Sequence, residues 1–326
     1  MNLRSSVLVG RVRENRALSP VARFIGRNSV IMAFAAIVVV STLLAPDAFL
    51  TRSNVINILR QVSIVGTISL GMTMIIISGG IDLSVGSSLV LVGAADIFVM
   101  NHTGSIALGL LCALAAGMGV GLVNGTIITR GKVTPFIATL GTMATCRSLA
   151  LYLLEGGGIS AHVKGYEAIA NGKLFGISYP VYYFIALSAL MYLFAQKTRL
   201  GRYMYAIGSN ERATHLSAIA VPRVKTLTYA LGGLMVAFAS IIETSRLNSV
   251  SAASSGVNYE LDAIAAVIIG GTRMSGGKGS ILGTFFGVLI LGMLNNMLTL
   301  MGVSPFLAGT VKGLIIVISV LVQRSE

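Results

Sequence analysis

Four ionisable residues stand inside apolar stretches of this chain: Asp96, Arg147, Glu243 and Lys312. A charge in hydrocarbon is costly and is usually kept for a purpose, so these are the first candidates for chemistry, and a proton or sodium relay is the chemistry they could carry. Glu243 and Arg246 lie three apart, on one face of a helix, which predicts a structural ion pair. Asp96 and Lys312 can each snorkel to a membrane interface or pair internally. Arg147 lies deeper in its run and is expected to hold backbone carbonyls ahead of any solute. The segment Thr272 to Ser280 ends Gly277-Lys278-Gly279 and superficially resembles a phosphate loop. It lacks the hydroxyl residue after the lysine, and Thr272 occupies the position of the first glycine. No ATP site is therefore expected in this chain, and energy must come from a gradient or a separate subunit. His102, His162 and His215 have no metal-ligand spacing, and Cys112 and Cys146 lie in apolar runs as small core residues, so a metal centre is not expected.

The elements that position these residues follow from composition. Of 326 residues, 55% are apolar and only 11% charged, and 38 are glycine. Such a chain is no water-soluble globule. Apolar runs at 29–45, 62–78, 85–100, 105–123, 134–154, 179–195, 226–245, 261–272, 280–300 and 305–322 predict an all-α, polytopic membrane protein of about ten spans. With alternating sides, 17 Lys and Arg fall inside and five outside, with the N-terminal arm 1–28 and both termini cytoplasmic. This asymmetry accounts for the net charge of +13 without nucleic acid. The run 261–272 is too short to cross and is followed by glycines, which suggests a broken or re-entrant helix. The longest outer loop, Glu155 to Ser178, is a candidate docking surface or lid, or a plain connector.

Glycines at Gly117, Gly121, Gly283 and Gly287 have the small-xxx-small spacing of close helix contacts. The strings Gly79 to Gly86 and Gly270 to Gly277 share the pattern Gly-Gly-x-x-x-Ser-x-Gly, either an internal repeat or a coincidence in a glycine-rich chain. The inner loop Gln196 to Lys225 can hold a short helix, with Asn210 as its N-cap, Glu211 at its positive end and Pro222 just beyond its stop. Such a helix would fit a groove in a partner protein or stabilise the bundle.

Four separated motifs now bear on the class: Gly79-Gly80-Ile81-Asp82-Leu83-Ser84-Val85-Gly86, Pro135 to Thr142, Gly208-Ser209-Asn210-Glu211 and Tyr259 to Thr272. In this order they resemble the ribose-type permease subunits of monosaccharide ABC importers, and the likeness runs from about Pro46 to the C-terminus. The resemblance implies a type II importer fold, one permease domain over 29–326, and alternating access in a bacterial inner membrane. It implies a cytoplasmic ABC ATPase, an extracytoplasmic sugar-binding protein and a second permease subunit, a homodimer ahead of a heterodimer. ATP and Mg would act at the ATPase, and this chain would bind no cofactor. By resemblance the coupling loop is 196–225, with Gly208, Ser209, Asn210, Glu211 and Ala213 meeting the ATPase, while Gly79, Gly80, Asp82, Ser84 and Gly86 form the family motif. Asn124, Asn295 and Asn296 are candidates for hydroxyl contacts along the translocation path, or for helix-to-helix hydrogen bonds. Asp96 and Arg273-Met274-Ser275 depart from the family pattern, which bears on the choice of sugar. The alternatives are an ion-gradient-driven sugar transporter, which would need essential membrane carboxylates, and a membrane enzyme, for which no nucleophile and base are visible.

Overall fold

The computed structural model describes residues 29–304 together with 307, 309–311, 313 and 314. The arm 1–28, most of the run 305–322 and Lys312 lie outside the described residues. The described part begins with α1 (Ser29–Leu44), α2 (Arg52–Ile77), α3 (Val85–Thr103), α4 (Ile106–Thr129) and α5 (Pro135–Leu153). A capping segment follows, with β1 (Gly158–Ser160), α6 (Ala168–Asn171), β2 (Lys173–Leu174) and β3 (Ile177–Ser178). Next come α7 (Tyr179–Lys197), α8 (Arg199–Ser209), α9 (Glu211–Leu216) and α10 (Val221–Leu247). The described part closes with β4 (Ser249–Ser251), α11 (Tyr259–Ile269) and α12 (Ile281–Leu300).

Seven of these helices, α2, α3, α4, α5, α7, α10 and α12, are long and apolar enough to cross a bilayer, and α1 is a shorter apolar helix. The predicted broken segment is α11. At 11 residues and about 1.5 Å per residue it reaches only about half of a bilayer core. The expected count of ten is thus approximate, its last member lying outside the described residues. The first turns of α2 escape a hydropathy reading because Arg52, Asn54, Arg60 and Gln61 dilute them. Thr51 starts that helix instead, its hydroxyl accepting from the Asn54 N–H at 3.3 Å.

Helix α10 is the packing centre, lying against α2, α3 and α4. The α4 contact is made by Gly117 and Gly121, where an added Cβ would run into the α10 backbone at Gly233 and Tyr229. The Gly283 and Gly287 spacing likewise seats α12 against Gly270 and Ala266. Both predicted small-residue stripes therefore pack helices within one chain. Buried hydroxyls complete the contact of α2 with α12, Thr73 Oγ1 and Thr284 Oγ1 being 2.7 Å apart.

The segment 155–178 is a pinned cap and no plain connector. β1 pairs antiparallel with β4, Gly158 opposite Ser251 and Ser160 opposite Ser249, and β2 pairs with β3. The Asn101 side chain donates to the Ser160 carbonyl at 2.9 Å and accepts from the His162 N–H at 2.9 Å. At the opposite end of α7 the loop 196–225 forms two helices where one was expected. Pro222 falls in the first turn of α10, where its missing N–H costs nothing.

Candidate functional site

The C-terminus of α2 is closed by Gly79 at φ +80°, with the Gly79 N–H donating to Ile76 O at 2.9 Å and the Gly80 N–H to Ile75 O at 2.9 Å. Only a residue tolerant of the left-handed region serves at Gly79. Helix α11 ends in the same geometry: Gly271 has φ +82°, and the N–H groups of Gly271 and Thr272 donate to Ile268 O at 2.8 Å and Val267 O at 3.1 Å. The cap equivalent to Gly79 is thus Gly271, so the two capping turns are related by a register one residue away from the Gly-Gly echo in the sequence.

These two ends meet the end of α8. The Gly277 N–H donates to the Ile77 carbonyl at 2.9 Å. A Cβ added at Gly276 would lie 3.1 Å from the Cα atoms of both Gly208 and Gly79, and one added at Gly208 would lie 2.5 Å from the Gly277 nitrogen and strike the Ile77 carbonyl. The Tyr205 hydroxyl donates to Gly279 O at 3.1 Å from the same helix. The structure thus brings Gly208 and Ser209 of one predicted motif onto Gly79 of another, with the loop 270–280 between them. Three helix C-termini converge here, and Arg273 and Lys278 in that loop supply the charge sign such ends favour.

From this glycine clasp α9 projects outward. Asn210 caps it, Oδ1 accepting from the Ala213 N–H at 2.9 Å, as its residue type predicts. Glu211 is held by Lys225, Nζ to Oε2 2.7 Å. Leu216 ends the helix with 82% of its surface exposed. A single leucine in a polar segment carries no periodic signal, and only the fold marks it as an unpartnered apolar knob.

The remaining motif residues form a buried polar knot. Asp82 Oδ1 accepts from the Ser84 N–H at 2.8 Å and its hydroxyl at 2.6 Å. Asn124, fully buried on α4, donates to Ser84 Oγ at 3.0 Å and accepts from Thr142 Oγ1 of α5 at 2.6 Å. Tyr229 of α10 donates to the Ile81 carbonyl at 3.0 Å. The break between α2 and α3 is thereby tied to three neighbouring helices. Gly86 then packs face to face on Gly256, leaving no room for a side chain on either.

Asn295 and Asn296 have no hydrogen bond to Asn124. Asn296 makes a reciprocal amide pair with Asn54, at 2.9 and 2.7 Å, whereas Asn295 faces a cavity of about 240 Å³ among α2, α10, α11 and α12. Arg147 donates to the carbonyls of Ala252 at 2.9 Å and Ser255 at 3.0 Å, the backbone role expected of it. Substituting Arg147→Met would strand two carbonyls and is expected to lower stability by about 2–4 kcal/mol, read as an earlier thermal unfolding transition in detergent, with Arg147→Lys recovering part of the loss.

One expectation about charges changes, and one of two alternatives is decided. The only ion pair among the described residues is Lys225–Glu211, so Glu243 and Arg246 are not a salt bridge. Glu243 instead faces Tyr259, Ser255 and the Gly256 backbone, because the segment after β4 folds back over α10. Asp96 is fully buried and accepts from the Tyr166 hydroxyl at 2.6 Å. That phenol also contacts Thr244 Oγ1. Burial first, then the neighbouring Asp96 carboxyl, pushes the Tyr166 phenol up, so it stays protonated and donates. Tyr166 lies in the outer loop, where no sequence signal distinguishes it from a surface tyrosine.

The described residues form a bundle of helices long and apolar enough to cross a membrane, with a broken half-helix and a glycine clasp beneath a short helix pair. The family described as branched-chain amino acid transport system, permease component, matches residues 54–320, and the chain belongs to it. It is 45% identical over 292 residues to the ribose import permease protein RbsC of Bacillus subtilis, covering 89% of this chain and 90% of that one. It is 41% identical over 304 residues to RbsC of Escherichia coli K12, covering 92% and 94%. It is also 32% identical over 309 residues to the L-arabinose ABC transporter permease protein AraH of Azospirillum brasilense, covering 95% and 91%. No solved structure matches it significantly.

Proposed function

We propose that this chain is the transmembrane permease subunit of an ATP-driven, binding-protein-dependent importer of a monosaccharide, ribose or a related sugar. The observation that carries this reading is the similarity to ribose import permeases along nearly the whole of both chains. In this reading residues 29–326 act as one permease domain in a bacterial inner membrane, paired with a second permease subunit, and both termini and the loop 196–225 face the cytoplasm. A cytoplasmic ABC ATPase binds ATP and Mg, and an extracytoplasmic binding protein delivers the sugar.

The coupling path runs through the clasp. When the ATPase pair closes, it displaces α8 and α9, and Gly208 carries that motion to the ends of α2 and α11 through the Ile77–Gly277 contact. The end of α11 in turn bears on Gly283 and Gly287 of α12. Asn295 faces the path in this conformation, while Asn124 and Asn296 are engaged by protein partners and reach the sugar only if helices part. Asp96 is held by the Tyr166 hydroxyl, which in turn contacts Thr244, a static arrangement that supports an ATP-driven mechanism over an ion relay.

The test is uptake of labelled pentoses and hexoses into vesicles holding the chain alone or with its ATPase and binding protein, with and without ATP. Uptake only with all components is expected. Robust uptake by the chain alone that collapses with the ion gradient would overturn the proposal. Leu216→Asp should leave the fold intact, since Leu216 is 82% exposed, yet release the ATPase on co-purification and cut uptake at least about tenfold, as loss of an apolar anchor does.

A further inference from the structure

The cavity beside Asn295 has the features of a binding site. At about 240 Å³ it is smaller than the roughly 300–1,000 Å³ of drug-sized sites, so its capacity is one small solute. Gln61 of α2, Arg246 of α10, Tyr259 and Asp262 of α11 and Asn295 of α12 line it together with an aliphatic wall. Polar groups at such a site are ordinarily spent on protein partners. Among the described residues the side chains of Gln61, Arg246 and Asn295 have no hydrogen-bond partner, although the neighbouring Asn296 is paired with Asn54.

The lining mixes two amides, a guanidinium, a carboxyl and a phenol. One formal positive and one formal negative charge face a small space, with both donors and acceptors around it. That set matches a neutral solute whose every hydroxyl both donates and accepts. A zwitterionic amino acid is the competing chemistry, with Arg246 for its carboxylate and Asp262 for its ammonium. The free amides favour the sugar, because a zwitterion of this size needs the two charges and leaves the amides idle.

The cavity lies near the ends of α2, α10 and α12 that share a side with the β1–β4 cap, since Gln61 is nine residues into α2 and Asn295 five from the end of α12. In the proposed topology this is the extracytoplasmic half, where sugar is released from the binding protein. We propose that Gln61, Arg246, Asp262 and Asn295 form a monosaccharide-binding subsite, the first stop of the sugar inside the permease. This inference rests on the import reading and adds a defined site to it. Helix α11 gives the site a means of emptying: it supplies Asp262 at one end and joins the clasp at the other, so motion of the clasp alters the cavity.

The experiment uses the full importer in vesicles carrying Asn295→Cys, labelled by a small uncharged maleimide against the unsubstituted chain as background. Millimolar D-ribose is expected to slow labelling at least about fivefold, and L-leucine to leave it unchanged. Gln61→Cys, on an exposed turn across the cavity, serves as a second reporter should the first not assemble. ATP-driven D-ribose uptake by the unsubstituted importer is measured in parallel. Uptake without protection at either reporter overturns the subsite and leaves the import reading standing. Protection by L-leucine in place of D-ribose overturns the sugar assignment. Absence of uptake with protection intact overturns the import reading alone.

Discussion

Replacing Gly208 by valine is expected to cut ATP-driven uptake by about 100-fold or more, the upper end of what a coupling of about 3 kcal/mol between distant sites carries. The Cβ would strike the Ile77 carbonyl and lie 2.5 Å from the Gly277 nitrogen. Neither atom can swing aside, because both are backbone and are bonded to each other. The end of α8 must therefore lift off α2 and the loop 270–280. Overpacking of this kind costs about 1–3 kcal/mol, and the lost hydrogen bond about 1 kcal/mol more. The informative readout is ATP hydrolysis measured beside uptake. With the clasp opened, hydrolysis should persist and cease to respond to the binding protein. Tyr205→Phe removes only the bond to Gly279 O and adds no bulk, so it separates loss of coupling from loss of fold. A smaller fall in uptake, up to about tenfold, is expected of it. Uptake by both variants within about threefold of the parent would show that α8 does not drive the helix ends it touches.

Tyr166→Phe is expected to produce the largest loss of stability from the removal of a single oxygen. Asp96 is fully buried. Among the described residues its Oδ1 has no hydrogen-bond partner, and the Tyr166 hydroxyl on Oδ2 is its one donor there. Removing that donor strands a carboxyl in the bundle, worth about 2–3 kcal/mol, and loosens the cap that Tyr166 anchors between α3 and α10. Thermal unfolding in detergent should show the fall. Asp96→Leu in the same background should recover part of it, because an apolar pair in that space leaves no polar group unsatisfied. Asp96→Asn alone should keep ATP-driven uptake within about twofold, since an amide oxygen accepts from Tyr166 as a carboxylate does. Loss of uptake with a stable fold would instead make Asp96 a working carboxyl of the transport cycle.

The spans were legible because a bilayer imposes one rule on every residue of a crossing, so composition over a window suffices. α11 was visible as a run too short to cross, and Asn210 as a cap, because both signals are local. Arg147 was legible in kind: a lone guanidinium deep in an apolar run has carbonyls as its main recourse. Glu243 was misjudged because spacing on one helix says nothing of a loop folding over it. The second helix of the inner loop was missed because Arg199 to Ser209 is amphipathic and dips below any hydropathy threshold. Tyr166 and Leu216 had no local signal at all. One acts by being inserted and the other by being left out, and both are facts of tertiary structure. The clasp lay in plain view as three glycine motifs, yet only the fold brings together glycines some 70 to 200 residues apart.

The pairing of β1 with β4 has a consequence for biogenesis. Residues 158–160 can find 249–251 only after α7 has crossed and α10 has crossed back, so the ladder cannot close on a nascent chain that stops short of α10. Until then the cap around Tyr166 lacks Thr244 and Ser245, both contributed by α10, and Asp96 has no stable lid. Closure of the ribbon therefore requires that the two strands emerge on the same side. A chain inserted with the wrong parity would expose two unpaired strand edges and an orphaned carboxyl at Asp96.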